Sequence, residues 1–143
     1  MNSESISEDS MTELAEAASR DDIAKVKELI ARGAALEEIS ERDFYDVIHR
    51  MTALGWAVIS WSSPELISVL TAASARVDTE LSINETRRTP LEHVRFMKEQ
   101  LADKEDGPGL LGFQGEFWGR VPTAAWFNDV ERILSQAKAA RNA

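Results

Sequence analysis

The sequence contains no cysteine, so a disulfide bond, a thiolate ligand and a thiolate nucleophile are all impossible. It has two histidines, His49 and His93, and no carboxylate pattern around either of them indicates a metal site. A phosphate-binding glycine loop, an H-E-x-x-H pattern and a nucleophile elbow are also missing. With 25 acidic residues, an acid–base carboxylate pair is the catalytic arrangement that the sequence leaves open. We therefore expect a protein that is not an enzyme and that binds no cofactor and no metal.

Long apolar runs are lacking as well, and the chain does not begin with a basic stretch followed by an apolar one. We therefore expect neither a membrane span nor a secretory signal. Acidic residues outnumber basic ones by 25 to 16, which gives a net charge of -9. An acidic protein is a poor ligand for nucleic-acid phosphates, whereas its field attracts basic proteins. These features predict a cytoplasmic protein that binds a protein partner and binds neither nucleic acid nor a membrane. A basic partner is one possibility.

The segment from Leu14 to Leu36 has the apolar spacing of two short helices separated by a polar break at 19–22. Asp21 or Asp22 suits the N-cap of the second helix, and Gly33 suits its end. Each helix is about two to three turns long, so it needs neighbouring helices to be stable. The apolar positions are Leu14, Ala17 and Ala18 in the first helix and Ile23, Val26, Leu29 and Ile30 in the second.

The same pattern returns after Thr52, and a third copy starts at Thr89. The interval from Leu14 to Ile30 is sixteen residues, and so is the interval from Leu54 to Leu70. The chain resembles the ankyrin repeat in three fragments, which look like degraded copies of T-P-L-H-x-A-A and G-A-D: Leu14-x-x-Ala17-Ala18 with Gly33-Ala34, then Thr52-Ala53-Leu54-x-x-Ala57, then Thr89-Pro90-Leu91. The leading leucines are 40 and then 37 residues apart, against about 33 in the family, so both connecting loops carry insertions.

This resemblance implies an all-α fold, an ankyrin-like helical solenoid of about three helix pairs with inserted loops, monomeric when free. We expect a flexible leader at 1–11 and one domain at 12–143, with repeats at about 12–50, 51–88 and 89–140. An insertion at 103–123 interrupts the third repeat, and a helix at 124–140 closes the domain. Helical spacing at 37–50 predicts an added turn or two of helix, whereas 76–88 predicts an extended connection with a short hairpin.

Residues in the loops and on the concave row that the ankyrin resemblance implies are the candidates for partner binding, and all but one of them are apolar or aromatic. Phe44 and Tyr45 either pack under the connection or face a partner, and the segment 103–123 is either a lid over the open end or a binding loop. Arg87 and Arg88 form a small basic spot that is either a solvated face or functional. The candidate residues are Phe44, Tyr45, Ile59, Trp61, Phe96, Phe113, Glu116, Phe117 and Trp118.

These features predict a protein–protein interaction module that binds a partner and inhibits or neutralises it, as an immunity protein does. The alternative is a regulatory or assembly adaptor subunit without inhibitory activity. Both functions use the same surfaces, so composition does not separate them.

Overall fold

The computed structural model describes residues 11–44, 46–102 and 123–142. In these residues the chain forms six helices and four strands. Their order is α1 (Glu13–Ser19), α2 (Ile23–Ala31), β1 (Ser40–Phe44), β2 (Val47–Met51), α3 (Ala53–Ile59), α4 (Pro64–Ala72), β3 (Leu81–Ile83), β4 (Thr86–Arg88), α5 (Pro90–Ala102) and α6 (Ala124–Asn142). The prediction of an all-α solenoid is wrong, because the strands form a four-stranded antiparallel sheet and the protein is mixed α/β.

Side-chain hydrogen bonds cap the starts of helices α1, α2, α4 and α5. The side chains of Thr12, Asp22 and Ser63 each accept a hydrogen bond from the backbone N–H three residues later, which fixes the first turns of α1, α2 and α4. Thr89 and Glu92 bond each other's backbone N–H groups reciprocally at the start of α5. Gly33 adopts a φ of 88° just after α2, as predicted for a glycine that ends a helix.

The sheet consists of two hairpins, which are joined where β2 pairs with β3. In the first hairpin, Asp46 has a φ of 69° and its N–H donates to the Asp43 carboxylate at 2.8 Å, which stabilises a tight turn. The second hairpin turns at Asn84, whose side chain accepts from the Ile48 N–H at 2.9 Å and links the two hairpins. The prediction of added helix at 37–50 is therefore wrong, whereas the short hairpin at 76–88 is confirmed.

The helices pack in two rows. Helix α3 lies between α1 and α5, while α2 packs on α4 and α6 packs on both α4 and α5. The core between them is apolar and includes Leu29 and Trp56. Helix α6 adds Trp126, Phe127 and Val130, all buried, so it closes the described core as predicted.

Hydrogen bonds between loops connect successive helix pairs. The Asp21 carboxylate, in the turn between α1 and α2, accepts from the N–H and hydroxyl groups of Ser63 at 3.0 and 2.9 Å. The Ser62 hydroxyl donates to the Ala18 carbonyl, and the Trp126 indole N–H donates to the Ser62 carbonyl at 2.7 Å. The three pairs α1–α2, α3–α4 and α5–α6 are thus held in register at the same end.

Candidate partner-binding surface

Two of the predicted contact residues belong to the core. Ile59 and Trp61 are only 3% and 4% exposed, so neither side chain reaches a surface that a partner touches. Trp61 packs edge-to-face against Trp126 and Phe127, with ring centroids 5.2 and 5.7 Å apart. The expectations that Ile59 of the concave row and Trp61 of the following break contact a partner are corrected for this reason. At Trp61 the cover is α6, which packs on the turn between α3 and α4.

Phe96 is the predicted contact residue that the structure does place on the surface. It lies on α5 with 36% of its area exposed, while the neighbouring Met97 is buried. The guanidinium carbon of Arg88 lies 3.8 Å from the centroid of the Phe96 ring, which is cation–π contact distance. An exposed aromatic ring and a half-buried cation are therefore in contact between β4 and α5.

For the remaining predicted site residues the structure gives little or no information about a contact surface. Phe44 ends β1, where its Cα is paired with that of Val47. The other five lie outside the described residues: Tyr45, Phe113, Glu116, Phe117 and Trp118.

The outer face of the sheet carries a second exposed apolar residue. Along β2 the buried residues are His49 and Met51, so Ile48 and Arg50 point the other way, and Ile48 is 40% exposed. Arg50 is paired with Glu41 of β1 at 3.2 Å. An open hollow of about 600 Å³ lies here; it is lined by Ile48, Arg50, Asn84, Glu85 and Thr86.

Strand β4 carries two arginines that point to opposite sides. Arg87 is paired with Ser82 and Arg88 with Leu81, and successive residues of a strand alternate between faces. Neither arginine has a carboxylate within ion-pair distance among the residues that the structure describes. Six other arginines do have one: Arg20, Arg32, Arg50, Arg76, Arg95 and Arg132.

The two histidines lie beneath the sheet and are both buried. Burial, followed by the charges of Arg88 and His49, lowers the pKa of His93 to about 4. Burial also lowers the pKa of His49, whose Nδ1 lies 3.1 Å from the Val47 carbonyl. Both rings are therefore neutral at pH 7. Within the described residues, no group of three histidine, aspartate or glutamate side chains is placed to hold a metal ion.

Sequence reasoning missed the exposure of Ile48 and the contact of Arg88 with Phe96. Ile48 was expected on an added helix, because Phe44, Val47 and Ile48 have helical spacing. The sequence did mark Arg88, because two adjacent arginines are unusual in an acidic chain. Its contact with Phe96 could not be predicted, since that contact depends on how β4 packs against α5.

Among the described helices, none has the length and apolar character needed to span a membrane. No protein-family model matches the chain, and the searches of curated proteins and of solved structures also found no match. The ankyrin resemblance therefore stays a prediction.

Proposed function

We propose that this protein is a protein-binding module whose contact surface is formed by the sheet and the adjoining part of α5. The observation that carries the proposal is the exposure of Ile48 on β2 and Phe96 on α5, two large apolar side chains on regular elements, of which Phe96 contacts Arg88 of β4. Interfaces obtain most of their binding energy from a few aromatic, apolar and arginine side chains surrounded by polar residues. The sheet and α5 together expose residues of these types, with Ile48 on the outer face of the sheet and Phe96 beside Arg88.

Both apolar residues stand on backbone that is already ordered. The Ile48 N–H donates to the Asn84 side chain, and the Asn84 N–H donates to the Ile48 carbonyl at 2.7 Å. Phe96 lies in a helix whose first turn is fixed by Thr89 and Glu92. A rigid surface loses little conformational entropy on association, which favours binding.

In its sharper form, the proposal is that binding inhibits or neutralises the partner, as with an immunity protein. A small rigid surface inhibits an enzyme or toxin when it covers the working site, and it needs no chemistry of its own to do so. The net charge of -9 supports attraction of a basic partner at long range.

The test is affinity capture from the native host followed by quantitative mass spectrometry. The baits are the wild-type protein, Ile48→Ala, Phe96→Ala and the control Ile39→Ala, which removes an isoleucine that is 44% exposed and precedes the sheet. We expect the wild type and the control to retain the same partner and the other two variants to lose it. In titration calorimetry with that partner, each loss should be at least about 2 kcal/mol.

Equal capture by all four baits would contradict the proposed surface. To test the inhibitory form, the activity of the captured partner is measured with and without the wild-type protein. Full activity in the saturated complex would refute inhibition and leave binding intact.

A further inference from the structure

We infer that Arg87, Arg88 and Phe96, together called the β4 site, bind an extended acidic segment of the partner. This inference rests on the proposed function and specifies the chemistry of one part of the contact surface. The β4 site would bind the acidic segment at contact distance. The net charge of -9 is a separate effect, because it acts on the partner as a whole from farther away.

The contact between Arg88 and Phe96 is compatible with carboxylate binding by the same guanidinium. Its guanidinium lies over the Phe96 ring, so stacking restricts the planar group. Stacking uses the face of a guanidinium and leaves the N–H groups at its edge free to form two parallel hydrogen bonds to a carboxylate. The site therefore provides the Arg88 guanidinium, a hydrogen-bond donor restricted by its contact with Phe96, beside an exposed apolar ring.

Two acidic residues on or against α5 form other bonds. Glu92, in the first turn of α5, accepts from the Thr89 N–H at 2.9 Å. Glu131 of α6 accepts from Arg95 at 2.8 Å and from Lys98 at 3.1 Å. The positive charge of Arg87 and Arg88 is consequently not compensated by a carboxylate of the described residues, and an external carboxylate would compensate it.

The arrangement fits an extended segment. Strand β4 is the last strand in the sheet order, and Arg87 and Arg88 point to its opposite sides. Neighbouring side chains of an extended peptide also alternate in direction. Two consecutive acidic residues running along β4 would each meet one arginine, and an apolar residue near them would cover Phe96.

The first experiment selects from a random dodecapeptide library displayed on phage, with the immobilised wild-type protein as bait. The parallel bait is the double variant Arg87→Gln, Arg88→Gln. We expect the wild type to enrich peptides with adjacent aspartate or glutamate residues, and the double variant not to enrich them. Failure to enrich any peptide, or enrichment of the same peptides by both baits, would overturn the inference.

The second experiment measures the most enriched peptide by fluorescence anisotropy. Arg88→Gln should raise its Kd at least tenfold, and replacing its acidic residues by Asn or Gln should do the same. Arg76→Gln is the matched control, since Arg76 is an exposed arginine paired with Asp78, and it should change the Kd less than twofold. Equal effects of Arg88→Gln and Arg76→Gln would refute the site. Circular dichroism melts confirm that each variant is folded.

The two proposals fail in different ways. Loss of partner capture by Ile48→Ala and Phe96→Ala tests the contact surface, whatever the charge of the bound segment. If capture depends on those two residues while peptide binding does not depend on carboxylates, only the acidic-segment inference is wrong.

Discussion

Changing Gly55 to alanine should destabilise this protein, although the same change usually stabilises a helix. An alanine Cβ at this position in α3 would lie 2.7 Å from the Cβ and 3.0 Å from the Cγ of Met51. Met51 is fully buried at the end of β2, and its Cβ is fixed by the backbone, so rotation of the side chain does not relieve the contact. The helix and the strand would have to move apart.

The expected magnitude is the difference between two effects. Overpacking a buried site costs about 1–3 kcal/mol, and a contact this short belongs in the upper part of that range. The gain in helix propensity from glycine to alanine is about 0.8–1.0 kcal/mol. The net loss should therefore be about 1–2 kcal/mol, which lowers Tm by roughly 3–8 °C for a domain of this size.

Urea unfolding followed by circular dichroism measures this loss, with the melting temperature as a second measure. Ser68→Ala is the control, because Ser68 is an exposed residue of α4 where alanine should have a small and favourable effect. If Gly55→Ala were as stable as the wild type or more so, the close approach of α3 to β2 would be refuted.

Four further predictions concern stability and association. Leu29→Ala should cost about 2–5 kcal/mol in urea unfolding, because Leu29 is buried; unchanged stability would contradict the packing of α2. Asp21→Gly should cost about 1–3 kcal/mol by the same measurement, because it removes both bonds to Ser63 while glycine tolerates the φ of 60°; a neutral result would mean that these bonds do not join the helix pairs. The pKa of His93 falls from 6.5 when unfolded to about 4 when folded, so its contribution to stability is complete above pH 6.5 and is lost as the pH falls toward 4. Between pH 7 and 5 the wild type should therefore lose about 2 kcal/mol more than His93→Gln, and parallel pH profiles would refute this. The association rate with a basic partner should fall as the salt concentration rises, because the net charge of -9 attracts such a partner from beyond contact distance. Stopped-flow association rates that do not change with salt would refute this long-range attraction.

Local sequence signals predicted the helices well. Capping residues such as Thr12 and Asp22 act within one turn, and the spacing of apolar residues depends on the helix alone. The first hairpin was missed because its sequence carries a misleading pattern. In β2 the polar His49 is buried and the apolar Ile48 is exposed, which is the reverse of the alternation that identifies a half-buried strand.

The surface was harder to predict, because exposure depends on residues far away in the sequence. Trp61 is buried by Trp126 and Phe127, which lie on α6 and follow it by more than sixty residues. Phe96 was identified through the family resemblance, but its contact with Arg88 arises from the tertiary arrangement of β4 and α5. Periodicity indicates that one face of an element is apolar and does not identify the residues that cover it.

The hydrogen bonds between helix pairs respond differently to substitution at their two ends. The Ser62 hydroxyl donates to the carbonyl of Ala18, and the Trp126 indole donates to the carbonyl of Ser62. Every residue has a backbone carbonyl, so the acceptor's amino acid is not constrained by these bonds, and only the donor must be kept. A change of side chain at an acceptor position therefore leaves these bonds possible, whereas a change that removes the donor group abolishes them.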